Sequence, residues 1–147
     1  MATTDVHAAN KRLVQREVRE VWAEVNDESI AALFAPDVVI GTRRMGDEET
    51  LASRDDIREH HREWMDGFPD ATFEIHELLA EGDAVMFYWT MEATHTGQFR
   101  GYALTGNAVS IDGFGFRRIQ DGKITVSTDS ASMVTLLDQI GVTIPSS

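Results

Sequence analysis

Residues 108–131, AVSIDGFGFRRIQDGKITVSTDSA, decide the fold, because two strand-like runs in this stretch flank an Asp-Gly pair at 121–122. An Asp-Gly pair between two such runs is the strongest short signal for a two-residue hairpin turn. A turn at this pair places Gln120 opposite Lys123. The sequence therefore predicts an antiparallel β-hairpin near the C-terminal end of the chain.

The register of this hairpin places one carboxylate among aromatic rings. Continued without a bulge, it sets Phe114 opposite Asp129, with Phe116 on the same face. A carboxylate among rings loses hydration, which raises its pKa and suits it to general acid–base chemistry. Gly113 and Gly115 can host a bulge that reverses this register. The alternative interpretation is that Asp129 is a solvated residue at a strand end or turn.

The strand before the hairpin is the clearest in the chain. Between residues 84 and 93 every second side chain is apolar, so that Val85, Phe87 and Trp89 share one face. A weaker alternating run begins at Thr72, and the Gly82-Asp83 pair gives a tight connection between the two strands. These residues predict further antiparallel strands that precede the hairpin.

Helical spacing dominates the first half of the chain. Apolar residues predict one helix from a cap at Asp5 to about residue 25, and a short second helix that carries Ile30, Leu33 and Phe34 until Pro36 stops it. Ser53 caps a third helix that carries His61 and Trp64 along one side. A strand at residues 38–40 and a polar, mobile loop at residues 41–51 lie between the second and third helices. A last short helix ends at Gly141.

These elements predict one α+β domain over residues 1–147, with three N-terminal helices packed over a curved antiparallel sheet. A sheet that is apolar on one face must be covered by another layer, and the helices supply that layer. Where the sheet curls, the space between the layers becomes a pocket for a small hydrophobic molecule.

The composition excludes several classes of function. The formal net charge is −12, from 25 acidic against 13 basic side chains. Such a field repels phosphate backbones and anionic lipid, so we expect neither nucleic acid nor membrane as a partner. The absence of cysteine excludes disulfides, thiolate metal sites and a cysteine nucleophile. The sequence has neither a signal-peptide pattern nor an apolar run of about 20 residues, so we expect a cytoplasmic protein.

Three histidines are candidates for chemistry. His95 ends the clearest strand and is a candidate pocket base or hydrogen-bond donor, although the spacing equally fits a structural role beside Thr94. His60 and His61 are adjacent on a helix, so their side chains diverge by about 100°. The sequence has no His-x-x-x-His pair, and we predict no metal site. His61 is better explained as a buried, hydrogen-bonded side chain.

The second half of the chain carries a series of short motifs. They are Phe68-Pro69-Asp70, Ala80-Glu81-Gly82-Asp83, Thr94-His95-Thr96-Gly97, Thr105-Gly106, Asp121-Gly122-Lys123-Ile124 and Leu136-Leu137-Asp138-Gln139-Ile140-Gly141. In this order they resemble the SnoaL-like polyketide cyclases, a branch of the superfamily named for nuclear transport factor 2. The resemblance covers nearly the whole chain, although the first half matches only in its pattern of elements.

The resemblance implies a cone-shaped α+β barrel with an open apolar cavity, and a homodimer or higher homo-oligomer. It also implies an acid–base aspartate that closes a ring by intramolecular aldol condensation, with no metal and no cofactor. Counted forward from the Asp-Gly turn, that aspartate falls on Asp129. Two features depart from the family: a histidine that assists in the cyclases falls on Gly115, and residues 126–132 are small and hydroxyl-rich. They predict a wider, hydroxyl-lined cavity.

The leading hypothesis is a cofactor-independent enzyme that acts on a small, hydrophobic carbonyl compound. Asp129 moves the proton, and His95 is a second polar group. The predicted ligand-binding residues are Phe114, Phe116, Trp89, His61 and Trp64. One alternative is a non-catalytic small-molecule binding module, which the missing histidine at position 115 favours. Another is a dehydratase, isomerase or epoxide hydrolase, since a fold alone does not choose among reactions.

Overall fold

The computed structural model describes residues 3–44, 47–51 and 53–142. The helices are α1 (Thr3–Glu17), α2 (Asp27–Leu33), α3 (Arg54–Gly67) and α4 (Met133–Gln139), and a π-helical turn, Val18–Trp22, extends α1. The strands are β1 (Phe34–Arg44), β2 (Asp47–Leu51), β3 (Thr72–Glu81), β4 (Ala84–Thr94), β5 (Ala108–Gln120) and β6 (Lys123–Ala131). No helix in these ranges combines the length and apolar composition that a membrane crossing requires.

The strands form one sheet in the order β2-β1-β6-β5-β4-β3. The consecutive strands β3, β4, β5 and β6 are antiparallel neighbours, as predicted. Strand β1 differs, because it lies beside β6 and runs parallel to it. The α+β class is therefore confirmed, with a sheet that is mostly antiparallel and mixed at one edge.

The core lies between the helices and the inner face of the sheet. On β4 the predicted face is buried, with Val85, Phe87 and Trp89 each at most 5% exposed. Helix α1 packs against β3 and β4, while α3 packs against β1. This layer of helices covers the apolar face of the sheet, and the site described below lies between the two layers.

Several predicted boundaries in the first half need correction. Helix α1 begins at Thr3, so Asp5 lies in its first turn and is not its cap. Strand β1 is much longer than residues 38–40, and it pairs with β2 from Ile40↔Leu51 onward. The mobile loop predicted at residues 41–51 is therefore wrong for the described residues, and residues 45 and 46 lie outside them. Backbone hydrogen bonds form a ladder whatever the side-chain polarity, so a polar stretch can still be a strand.

The predicted turn is confirmed, but the predicted register is wrong by one residue. Asp121 and Gly122 both have positive φ, and Gln120 pairs with Lys123. After Ile119↔Ile124 a bulge shifts the pairing, so that Arg118 faces Val126. A bulge inserts one extra residue into one strand, and a one-residue slip exchanges the two faces of all later pairs. Beyond the bulge, Phe114 and Asp129 are therefore on opposite faces.

Candidate active site

A cavity of about 80 Å³ lies between the helices and the inner face of the sheet. Most of its wall is apolar or aromatic: Trp22, Trp64, Phe73, Trp89, Met91, Ala131 and Met133. The remaining lining residues are polar: His60, His61, Arg100 and Asp129. An apolar cleft with a few convergent polar groups is the usual form of a small-molecule site.

Asp129 projects from the inner face of β6 into this cavity, and its side chain is 26% exposed. Its cross-strand partner is Gly115, and Phe114 pairs with Ser130 instead. The bulge places Phe114 and Phe116 on the outer face of the sheet, where Phe114 is 58% exposed. The prediction that these two phenylalanines form the pocket wall is therefore wrong.

The apolar neighbour of Asp129 comes from β4. A Cβ added to Gly115 would lie 2.3 Å from Cζ of Phe87 and 2.8 Å from Oδ1 of Asp129. The ring of Phe87 therefore fills the space above Gly115. This arrangement gives the carboxylate a hydrocarbon neighbour, contributed by a different strand from the one predicted.

The close packing at Gly115 leads to a stability prediction. Substituting Gly115→Ala should lower the free energy of unfolding by about 1–3 kcal/mol, because the new methyl group forces Phe87 or Asp129 to move. Equilibrium denaturation in urea measures this change. Ser130→Ala, an exposed change on β6, serves as the control and should stay within about 0.5 kcal/mol of the parent. Equal stability of both variants would contradict the packing described here.

The carboxylate of Asp129 is held by a fully buried arginine. Arg117 donates from Nη1 to Oδ1 of Asp129 at 3.2 Å and from Nη2 to Oδ2 at 3.0 Å. On its other side Arg117 donates from Nε to Oε1 of Glu17 at 2.7 Å and from Nη2 to Oε2 at 2.8 Å. The guanidinium thus bridges two carboxylates, and only that of Asp129 lines the cavity.

Glu17 completes this chain of contacts at its buried end. Its side chain is 1% exposed, and Oε2 accepts a hydrogen bond of 2.7 Å from Nε1 of Trp22. Trp22 in turn lines the cavity. We call the group formed by Glu17, Arg117 and Asp129 the carboxylate–guanidinium bridge. With two carboxylates ionised against one guanidinium, the bridge carries one net negative charge.

Burial sets the protonation behaviour of the site. Burial raises the pKa of Asp129. The negative charge of Glu17 adds to this rise, whereas the positive charge of Arg117 opposes it. Burial disfavours the charge of Arg117, yet Asp129 and Glu17 hold the pKa of Arg117 above its usual value. Burial also lowers the pKa of His61 well below its usual value, and His60 and Arg117 add to this effect. His61 is therefore uncharged at neutral pH.

The other predicted site residues divide into two groups. Trp89, His61 and Trp64 line the cavity, and their role as ligand-binding residues stays a prediction. His95 does not line it: the side chain is fully buried, and Nδ1 lies 3.0 Å from Oγ1 of Thr105. The chain after β4 folds back over this strand end, and Gly106 donates a backbone hydrogen bond to the carbonyl of His95. The structure thus contradicts the pocket role predicted for His95.

The hydroxyl-rich stretch at residues 126–132 does not line the cavity with hydroxyl groups. Only Asp129 and Ala131 from this stretch are among the lining residues. Thr128 and Ser130 lie across from Phe116 and Phe114, on the outer face. The prediction of a wide, hydroxyl-lined cavity is therefore wrong. Strand alternation turns Thr128 and Ser130 outward, whereas Ser127 is buried opposite Arg117 and does not line the cavity.

Sequence reasoning missed Glu17 and Arg117, although both carry a detectable signal. Glu17 lies three residues after Val14 and four before Val21, on the apolar face of α1. Arg117 lies at an inward position of β5, two residues before Ile119. Once the bulge is known, the opposite charges lie on two buried faces and indicate an ion pair, because buried charges are rarely unpaired.

Most of the chain matches the model of a known protein family. The family model described as SnoaL-like polyketide cyclase matches residues 12–140. None of the curated protein sequences compared with the chain matches it significantly.

Solved structures resemble the chain along most of its length. A protein from Jannaschia sp. CCS1, provisionally described as a SnoaL-like polyketide cyclase, has a TM-score of 0.87 at 14% identity, covering 98% of this chain and 99% of that one. AclR from Streptomyces galilaeus, provisionally described as a hydroxylase, has a TM-score of 0.79 at 28% identity, with 96% and 90% covered. IdmH from Streptomyces antibioticus, provisionally described as a polyketide cyclase, has a TM-score of 0.76 at 25% identity, with 90% and 99% covered.

Proposed function

The chain belongs to the SnoaL-like polyketide cyclase family, and from this premise we propose that it is a cofactor-independent acid–base enzyme acting on a small, hydrophobic carbonyl compound. The observation that carries the proposal is the position of Asp129 in an aromatic cavity, where burial raises its pKa. A raised pKa brings a carboxylate closer to the working pH and makes it a stronger base.

The proposed reaction is an intramolecular aldol condensation. Asp129 removes a proton from the carbon next to one carbonyl group, which leaves an enolate. The enolate carbon attacks a second carbonyl carbon of the same molecule, so that a carbon–carbon bond forms and the attacked C=O becomes an alkoxide. The proton held by Asp129 then passes to the alkoxide, which balances the reaction without an oxidant or reductant.

Two further groups in the cavity wall suit a carbonyl ligand. The indole Nε1 of Trp89 is buried and finds no hydrogen-bond acceptor among the described residues. A buried donor without an acceptor carries a desolvation penalty that a ligand oxygen would remove. Uncharged His61 is a second donor, and it would polarise a carbonyl oxygen without adding a fixed cation to the site.

The relatives support the direction of this proposal. IdmH, at 25% identity, is itself provisionally described as a polyketide cyclase. AclR, at 28% identity, is provisionally described as a hydroxylase, so relatives with this fold carry descriptions of different reactions. The experiment below therefore detects the proton-abstraction step first and identifies the product second.

Exchange of carbon-bound hydrogen in D₂O tests the proposal with any diketone that enters the cavity, whatever the natural substrate is. The protein is incubated with a panel of small apolar diketones, and loss of the α-proton signal is followed by proton NMR. We expect exchange well above the buffer rate for at least one diketone. The product mass from a parallel incubation in H₂O then separates the reactions: cyclisation or isomerisation keeps the mass, dehydration loses water, and hydrolysis gains it. Diketones that bind without faster exchange would overturn the proposal.

One observation favours a second candidate, a non-catalytic binding module. Both carboxylate oxygens of Asp129 already accept hydrogen bonds from Arg117, which stabilise the ionised form and weaken it as a base. In that case a ligand should raise the melting temperature of the parent protein and of Asp129→Asn by similar amounts, with no α-proton exchange in either. Exchange in the parent protein excludes this candidate.

A further inference from the structure

Two charged groups behind the cavity have no part in the mechanism above. Glu17 and Arg117 are both fully buried, and neither lines the cavity. Removing two charges from water costs several kcal/mol per ion, so an ion pair of this kind is a weak source of stability. The contacts between Arg117 and Asp129 indicate that this ion pair acts on the carboxylate of Asp129.

We propose that Glu17 is a positioning residue for the candidate base, acting on Asp129 through Arg117. The catalytic part of this inference rests on the proposed function, whereas its electrostatic part concerns the carboxylate–guanidinium bridge itself. Glu17 lies on α1 and Arg117 on β5, 100 positions apart in sequence. The bridge therefore connects the helical layer to the strand that carries Asp129.

Glu17 restricts the orientation of Arg117. A guanidinium is a rigid planar fork, so fixing one edge fixes the direction of the others. Glu17 holds the Nε and Nη2 atoms of Arg117 at 2.7 and 2.8 Å, shorter than the two contacts with Asp129 at 3.2 and 3.0 Å. The backbone carbonyl of Phe116 accepts a further hydrogen bond from Nη1 at 2.9 Å. Glu17 thus fixes the arginine that orients Asp129.

Glu17 also changes the electrostatic surroundings of Asp129. Arg117 alone would present a buried cation to Asp129, and such a cation stabilises the carboxylate and weakens it as a base. Glu17 neutralises most of that charge, so that Asp129 faces an ion pair and keeps a raised pKa. The other titratable or charged side chains that border the cavity are His60, His61 and Arg100. All three are the same in every variant compared below.

The experiment compares Glu17→Gln with the parent protein, because Gln has nearly the same shape and no charge. The titration of Asp129 is followed by carboxyl ¹³C NMR, and its signal is assigned by its loss in Asp129→Asn. We expect the midpoint in Glu17→Gln to move to lower pH. With a diketone substrate, kcat should fall on the order of 10-fold with little change in KM, and the acidic limb of the pH profile should shift the same way.

The control is Glu24→Gln, which removes the same charge from an exposed site seven positions further along the chain. The proposal is overturned if the midpoint of Asp129 is unchanged in Glu17→Gln, or if Glu24→Gln shifts it equally. Where Glu17→Gln does not fold, Glu17→Asp shortens the side chain and should shift the midpoint in the same direction; an unchanged midpoint overturns the proposal there too. The titration needs no substrate, so a failure of the proposed function does not hide the result.

Discussion

Replacing Asp129→Asn is expected to lower the rate of α-proton exchange by about 10²–10⁴-fold, the usual contribution of a general base. The amide has nearly the same shape as the carboxyl group but cannot accept the proton. Arg117 keeps its two contacts with Glu17, so the guanidinium is not left without a partner. The variant should therefore fold, which circular dichroism and equilibrium denaturation check.

The same variant gives a stability result with a defined sign. Because the folded-state pKa of Asp129 is raised, the folded protein binds this proton more tightly than the unfolded chain does. The stability that Asp129 contributes is fully present below its unfolded pKa, and is lost as the pH rises through the raised folded value. Relative to Asp129→Asn, the parent protein should therefore lose stability with rising pH across this window.

The control for both results is Asp138→Asn, which changes an exposed aspartate on α4. It should leave the exchange rate and the pH dependence of stability close to those of the parent protein. Full exchange activity in Asp129→Asn would eliminate Asp129 as the base. A pH dependence of the opposite sign would show that attraction by Arg117 outweighs burial at this carboxylate.

Local signals in the sequence predicted the elements that local physics decides. The Asp-Gly turn, the alternation along β4 and the Ser53 cap of α3 all depend on residues close in sequence, and all three are confirmed. The homo-oligomeric state and the cytoplasmic location stay predictions, because the structure of a single chain tests neither of them.

The bulge shows where such reasoning fails. It lies near Thr125, whose side chain donates a hydrogen bond to the carbonyl of Arg118 at 3.3 Å. The sequence offers Gly113 and Gly115 as bulge sites, but these glycines instead make room for the rings of Trp89 and Phe87. A glycine can host a bulge or admit a ring from the neighbouring strand, and in both cases the reason is that it has no side chain. Only the tertiary packing distinguishes the two roles.

Asp129 illustrates how a site can be predicted for a reason that is partly wrong. The sequence placed it inward beside Phe114 and Phe116, whereas the structure places it inward beside Phe87. The carboxylate–guanidinium bridge was missed altogether, because Glu17 and Arg117 meet only through tertiary folding. A pair 100 positions apart has no local pattern, and the register predicted without the bulge turns Arg117 to the outer face.

Removal of the guanidinium is the second large effect that we expect. Arg117→Met should lower the free energy of unfolding at neutral pH by about 3–5 kcal/mol, because two carboxylates then lie together without a cation. For a chain of this size that corresponds to a melting temperature lower by roughly 10 °C. Chemical and thermal denaturation at the same pH measure the change.

The neighbouring arginine offers a matched control. Arg118 points to the outer face, is 42% exposed and pairs with Asp83, so Arg118→Met should cost only about 0–1 kcal/mol. The double variant Glu17→Gln with Arg117→Met removes one of the unpaired carboxylates and should recover part of the lost stability. An equal loss in both arginine variants would contradict a special role for the buried one.

The pH dependence of this loss separates charge from packing. In Arg117→Met the cation no longer lowers the pKa of Asp129, while burial still raises it. The unpaired negative charge costs stability only while the carboxyl groups are ionised, so the loss should be largest at neutral pH and shrink as the pH falls towards about 4. A loss caused by the missing volume of the arginine would stay constant over this range. A constant loss would therefore show that Arg117 acts as a filler of space, and that the bridge does not govern the charge of Asp129.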